Sequence, residues 1–331
     1  MQIWRFRILG RKIMGPKAGV FCHNGLGDGV VSLVLSNNLH LNGWRVETFQ
    51  NATVPLQHWV PHLPLLPYPP LEEIESILHR YDWFFVVHND TSEFIQRLVL
   101  EGKRRYPDQM KIIYIYPSKR IVREPYYRDT EMDPDLPVAE NLRLICEKIL
   151  HLPKSTKSNG FIPPPDLRHR FHKRRIALHP TGSRRGKRWA KEKFIQLALR
   201  LRKEGFDPIW IIGPEERSEW LDLEQHDFSI PEFPTLDELT RFIYESGYLL
   251  GNDSGLGHLA SFLGVPTLTI TRRKALARLW APSYTPGTVV TPPAWIPNIR
   301  GLRLRDRYWQ SFISVEKVLF AFDKLTTRAL V

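Results

Sequence analysis

The sequence predicts an α/β protein made of two doubly wound, Rossmann-like parallel-sheet domains. Three observations carry that expectation. Short apolar runs of strand length alternate with helical patterns in both halves of the chain. A stretch rich in proline and polar residues separates the halves. Glycine-rich turns stand where strands hand over to helices. Parallel strands need helical crossovers, so this alternation implies sheets covered on both faces. At 331 residues the chain is long enough for two cores.

In the first half, residues 18–23 read as a strand, followed by a turn and a helix over 29–41 that ends at Asn42-Gly43, a C-cap pair. Residues 44–49, 83–87 and 111–116 read as further strands, and 71–80 as a helix. Residues 151–173, with Pro163-Pro164-Pro165 and many Lys, Ser and Asn residues, have the composition of a linker. The alternation then restarts. Strands are expected at 175–179, 208–212, 248–250 and 265–270, and helices at 191–203, 236–246 and 255–263. The boundary is set at 165/166, giving domains 1–165 and 166–331, with ligands expected in a cleft facing both sheets. A last helix, over 312–325, could pack back across that cleft.

The chain is 42% hydrophobic and 25% charged, which excludes disordered and fibrous classes. A net charge of +12 calls for anionic partners: nucleic acid, acidic lipid or a phosphorylated small molecule. The only cysteines, Cys22 and Cys146, lack metal-ligand spacing and suggest no disulfide framework, as in a reducing cytoplasm. No apolar run approaches the roughly 18 residues of a membrane span, and residues 1–12 lack the apolar centre of a signal peptide. In that segment Trp4, Phe6 and Ile8 alternate with Arg5 and Arg7. This is either an edge strand or a basic-aromatic contact with a membrane face.

Three motifs carry chemistry. Asn24-Gly25-Leu26-Gly27-Asp28-Gly29 follows a strand, but the third glycine of a dinucleotide fingerprint is replaced by Val30. Asp28 is there either a helix N-cap or a carboxylate that takes a proton from a substrate hydroxyl. The loop from His179 to Trp189 holds Thr181, Ser183, Arg184, Arg185, Lys187 and Arg188. It suits a diphosphate, is not a Walker loop, and has a plain solvated basic loop as its alternative reading. Gly251-Asn252-Asp253-Ser254-Gly255-Leu256-Gly257-His258 places a strand end against a helix N-terminus, where free N–H groups accept phosphate. Asp253 or Ser254 as a simple cap is the bland alternative.

Other patterns read as structural. Asp133-Pro134-Asp135 lies in a loop, His169 and His172 lack a third ligand, and Arg300, Arg303, Arg305 and Arg307 form a solvated face. No metal site is expected.

At these three motifs the sequence resembles glycosyltransferase family nine, the ADP-heptose:lipopolysaccharide heptosyltransferases. Residues 137–150 also resemble the helix that closes that family's first domain. The resemblance implies a GT-B fold and an inverting, metal-independent sugar transfer with no cofactor, the nucleotide sugar, ADP-heptose by the likeness, being a substrate. It implies an N-terminal acceptor domain and a C-terminal donor domain. Carried over, Asp28 matches the catalytic base. Thr181, Ser183 and Lys187 match the donor phosphate loop, and Glu216 lies near the acid that bonds the ribose. Asp253 matches the donor-sugar contact, and Ser254, Gly255 and His258 line the phosphate end. An anionic lipopolysaccharide-type acceptor gives the basic charge a purpose, with Arg120 and Arg123 as its contacts. It also implies a cytoplasmic protein peripheral on the inner face of the cytoplasmic membrane. Residues 269–273, Thr-Ile-Thr-Arg-Arg, depart from the family's Phe-Gly at that point.

Two rivals remain at this level: a nucleotide-sugar epimerase on the same architecture, and a non-catalytic basic protein that binds nucleotides or nucleic acid. Nucleic acid is not the expected partner, because the aromatics fall in apolar runs and not among the basic stretches.

Overall fold

The computed structural model describes residues 15–88, 92–114, 130, 132–182, 185–272, 278–298 and 302–329. The chain divides into two compact units. The first takes in the chain up to Asn24, Ser32–Asp133 and Glu140–Gly160; the second takes in Gly25–Val31, Pro134–Ala139 and the chain from Phe161 onward.

The first unit contains β1 (Lys17–Phe21), β2 (Arg45–Phe49), β3 (Leu65–Leu66), β4 (Trp83–His88) and β5 (Met110–Tyr114), parallel and in the order β3-β2-β1-β4-β5. The last four residues of central β1 are all buried, as a strand covered on both faces must be. Phe21 and Phe49 stack across β1 and β2 with centroids 4.7 Å apart. Helix α1 (Leu26–Leu41) crosses from β1 to β2. Beyond its end Gly43 adopts φ +84 and donates to His40 O at 2.9 Å, the left-handed stop that Asn42-Gly43 signals. The helix expected at 71–80 is shorter: a 3₁₀ turn (Leu71–Glu73) leads into α2 (Ile74–Leu78). Helix α3 (Glu93–Arg105) was not anticipated, although its buried Phe94, Ile95, Leu98 and Val99 stand at helical spacing and Ser92 caps it. Helix α4 (Val138–Lys148) follows.

Residues 151–171 carry no helix or strand. Their backbone groups still need partners, and asparagines on α1 and just past its end supply them. Asn38 donates to Thr156 O at 2.8 Å and accepts the Thr156 N–H at 2.7 Å. Asn42 does the same with Lys154, at 2.8 and 3.1 Å. Asn37 donates to Ser158 O at 3.0 Å.

The second unit contains β6 (His172–His179), β7 (Asp207–Trp210), β8 (Ser246–Asn252), β9 (Thr267–Ile270) and β10 (Gly287–Val290), again parallel, in the order β10-β9-β8-β6-β7. Counted from β6 this is the doubly wound 2-1-3-4-5 order, whose direction switches between β6 and β8. β6 and β8 are longer than their apolar runs suggested, and β10 was missed: its Gly287 and Thr288 dilute the apolar signal. Helices α5 (Lys191–Lys203), α6 (Leu236–Tyr244) and α7 (Gly255–Phe262) alternate with these strands. The C-terminal helix (Val315–Arg328) buries Val318, Leu319, Phe322 and Leu325 in this unit's core and packs on α5 and β10.

Among the described residues no helix is long and apolar enough to cross a membrane. Cys22 and Cys146 are both buried, and burial pushes the Cys146 thiol up to about 12. Trp4, Phe6 and Ile8 lie outside the described residues.

Candidate functional site

Ligands of open α/β sheets bind at strand carboxyl ends where the strand order reverses. In the second unit that point falls between β6 and β8, which run in register with Leu178 opposite Leu250 and His179 opposite Gly251. The basic loop leaves β6 there, and the loop to α7 leaves β8 beside it. The backbones approach so closely that a Cβ on Gly251 would lie 2.3 Å from His179 O, so only glycine fits.

Buried Asn252 ties the two loops together. It accepts the Trp189 N–H at 2.9 Å and donates to Pro180 O at 2.5 Å, fixing both ends of the basic loop. The segment before the C-terminal helix holds the same loop from another side. Trp309 donates its indole N–H to Gly186 O at 3.2 Å, Gln310 donates to Arg188 O, and Trp189 donates to Ile313 O at 3.1 Å. Sequence reasoning gave Asn252 no role despite its place in the motif. It had no means of finding Trp309 and Gln310, more than 120 residues away from their acceptors.

The loop's cations are not equivalent. Arg188 pairs with Glu216 at 3.1 Å and Glu219 at 3.2 Å, and donates to Gly182 O at 3.2 Å. Arg185 also pairs with Glu219, at 2.7 Å. Lys187 instead lies 3.8 Å from Asp253, with both side chains part-exposed. A long, solvated pair of this kind contributes little stability and leaves the ammonium able to meet an anion. Glu216, expected near a ribose, folds over Gly213, where a Cβ would lie 2.6 Å from its Oε2, and is held by Arg188. Thr181 is buried.

Two helix N-termini abut within this unit. A Cβ on Gly255 would stand 2.7 Å from the Gly27 amide nitrogen, and one on Gly27 would stand 3.0 Å from His258 Cδ2. Asp28 does not cap α1. The helical ladder starts earlier, with Gly29 N–H donating to Gly25 O at 2.9 Å, and Asp28 sits in the first turn. There its carboxylate is favoured by the helix dipole. Ser254 precedes α7 in extended conformation but makes no capping bond with its side chain, and its buried Oγ has no hydrogen-bond partner. The capping reading therefore fails for Ser254, whose buried hydroxyl the protein leaves unsatisfied. His258, one turn into α7, is buried. Desolvation pushes its imidazole below the ordinary value, while the carboxylates of Asp253 and Asp28 pull the other way. Asp28, Asp253 and His258 thus form one electrostatic group, with Lys187 beside Asp253.

Ser183, Arg120, Arg123 and Arg300 lie outside the described residues. The patterns read as structural have structural partners. The Asp133 N–H donates to Asn141 Oδ1 at 2.7 Å, Asp135 pairs with Arg278 at 2.7 Å, and His169 Nε2 bonds Gly264 O at 3.1 Å. Among the described residues, no cluster of three or more His, Cys, Asp or Glu could hold a metal ion.

Residues 131–284 match the model of glycosyltransferase family 9 (heptosyltransferase), a stretch that includes the basic loop, β8 and α7. The chain is similar in fold to the Escherichia coli heptosyltransferase WaaC with ADP, with a TM-score of 0.67 and 14% identity over 93% of this chain and 99% of that one. The E. coli ADP-heptose LPS heptosyltransferase II gives a TM-score of 0.66 at 17% identity, over 95% and 100% of the two chains. A family 9 glycosyl transferase from Veillonella parvula gives 0.67 at 15%, over 97% and 100%. No curated protein matches. Fold and family match together define the class: the protein is a glycosyltransferase of GT-B architecture. The resemblance to family nine holds over residues 131–284, which are similar to the heptosyltransferase model.

Proposed function

We propose that the chain transfers a heptose, or a related sugar, from a nucleoside diphosphate to a lipopolysaccharide core-type acceptor, with inversion and without a metal ion. The observation that carries this reading is the gathering of Asp28, Asp253, His258 and Lys187 at the abutting N-termini of α1 and α7. Proteins of similar fold hold related nucleotides: WaaC structures contain ADP and ADP-2-deoxy-2-fluoro heptose.

In this mechanism the Asp28 carboxylate takes the proton of the acceptor hydroxyl. The acceptor oxygen attacks the anomeric carbon from the face opposite the diphosphate, and the bond from that carbon to the phosphate oxygen breaks. The electron pair leaves with the nucleoside diphosphate. Its developing charge meets Lys187, the first N–H groups of α7 and the Ser254 hydroxyl, donors already oriented before the reaction. Asp253 orients the donor sugar, Thr181 and Ser183 complete the phosphate loop, and Glu216 lies toward the ribose. His258, neutral through burial, lines the phosphate end without adding charge. In this reading residues 166–331 form the donor domain, and residues 1–165 form the acceptor domain, with Arg120 and Arg123 as acceptor contacts. A cytoplasmic location at the inner membrane face follows from such an acceptor.

The test is ADP release from ADP-heptose, with and without a lipid A core acceptor, for wild type and Asp28→Asn in the presence of a chelator. Acceptor-dependent release that falls about 10²–10⁴-fold in the variant, the range for a lost general base, with ADP binding retained, supports the reading. Release without acceptor, conversion of donor to an isomer, or dependence on added metal would each refute it.

A further inference from the structure

A second concave site lies on the far edge of the second sheet, between β10 and the C-terminal helix. This cavity of ≈ 260 Å³ is lined by Thr288–Thr291 of the strand end and by Lys317, Phe320, Ala321, Lys324 and Arg328 of the helix. Its three charged lining residues are all cations.

The helix is amphipathic in two ways. Val315, Val318, Leu319, Phe322 and Leu325 face the core. Lys317, Ala321, Lys324 and Arg328 follow at steps of four, three and four, so they stand in one stripe on a different face. Phe320, beside that stripe, is 61% exposed, and the Lys324 ammonium lies 4.1 Å from its ring centroid. The helix acids Glu316 and Asp323 do not line the cavity. Thr288 lines the cavity, and its own hydroxyl is buried without a hydrogen-bond partner.

We propose that this site docks the protein on an anionic phospholipid surface, with a phosphate headgroup in the cavity and Phe320 at the interface. An aromatic side chain flanked by lysine and arginine is the combination that an interface of apolar tails and anionic headgroups selects. Addition of a partner strand to the β10 edge is disfavoured by Lys317, which donates to Thr291 O at 2.6 Å and so occupies the carbonyl just beyond the strand. Burial also pushes the Lys317 ammonium below its ordinary value, so that an anion brought next to it would be stabilised. This inference stands on the cavity alone and does not depend on which sugar is transferred.

The experiment is co-sedimentation of the full chain with phosphatidylglycerol/phosphatidylcholine vesicles and with phosphatidylcholine vesicles. The variants are Lys324→Gln/Arg328→Gln, Phe320→Ser and, for comparison, Arg5→Gln/Arg7→Gln. Each interfacial cation contributes about 1 kcal/mol, so the helix double variant is expected to partition roughly 25-fold less to anionic vesicles. Phe320→Ser should also weaken binding, while unfolding midpoints and ADP binding stay unchanged. Loss of binding only with Arg5→Gln/Arg7→Gln would move the contact to the N-terminal segment and overturn the proposal. Saturable binding of free glycerol phosphate with no vesicle association would overturn it as well.

Discussion

Gly27 and Gly255 stand back to back, so that a Cβ on Gly255 would lie 2.7 Å from the Gly27 amide nitrogen and one on Gly27 would lie 3.1 Å from the Gly255 Cα. Two positive helix ends are brought together only because neither residue has a side chain. Gly255→Ala must push backbone atoms apart, an overpacking cost of about 1–3 kcal/mol. It is expected to lower the unfolding midpoint and weaken ADP binding together. Gly186→Ala is the control, since nothing lies within 4 Å of its Cβ position. Equal behaviour of the two variants in thermal unfolding and calorimetry would contradict this account.

Lys187 separates binding from stability. Its pair with Asp253 is long and part-exposed, so Lys187→Gln should leave the unfolding free energy within about 1 kcal/mol of wild type. A charge-assisted bond to a diphosphate is worth about 1.5–3 kcal/mol. ADP affinity measured by calorimetry should therefore fall about 10- to 150-fold. Unchanged affinity would remove Lys187 from the donor site.

Asn252 should show the opposite balance. Asn252→Ala leaves the Trp189 N–H and Pro180 O without their side-chain partner inside the protein. The expected cost is about 2–4 kcal/mol from the paired losses, read as a lower urea midpoint. Because the basic loop loses its anchor, ADP binding should weaken even though Asn252 touches no phosphate in the mechanism. Asn252→Asp should not rescue stability, since an oxygen would then face Pro180 O. Rescue would show that loop anchoring is not its role.

His179 and His258 set an acid limit. Desolvation holds both imidazoles below the ordinary value of 6.5. For His179 the carbonyl of Ile211 pulls the other way and Arg188 adds to the lowering. Below 6.5 the unfolded chain therefore takes up protons that the folded chain does not. Stability is complete above that pH and is lost as pH falls toward the folded-state values, with each histidine contributing up to about 1.4 kcal/mol per pH unit. Partly buried His62 and His169 act in the same direction. Urea unfolding between pH 7.5 and 5.5 should show the slope, and His179→Gln should flatten it. A slope of opposite sign would mean that these imidazoles are protonated in the fold.

Much of the fold was legible because parallel strands buried on both faces are nearly continuous apolar runs. β1 and β4 could be read directly. β10 could not, since Gly287 and Thr288 interrupt the pattern, nor could β3, which is only two residues long. Helix α3 was readable from Phe94, Ile95, Leu98 and Val99 and was overlooked. The motif ending in His258 marked one side of the candidate site, because a glycine-rich turn from strand to helix is suited to meeting a phosphate.

The sequence by itself determined the two α/β halves, the glycine turns and the cation-rich loop, since these follow from local periodicity and from backbone freedom at glycine. Only the tertiary structure decided which members of those motifs face one another. It assigned Arg188 to Glu216 and Glu219 and left Lys187 beside Asp253. It started α1 early enough to deny Asp28 the capping role, and it fastened the basic loop through Asn252, Trp309 and Gln310. These outcomes depend on distances between segments far apart in the chain, which sheet order and packing fix and residue spacing does not encode.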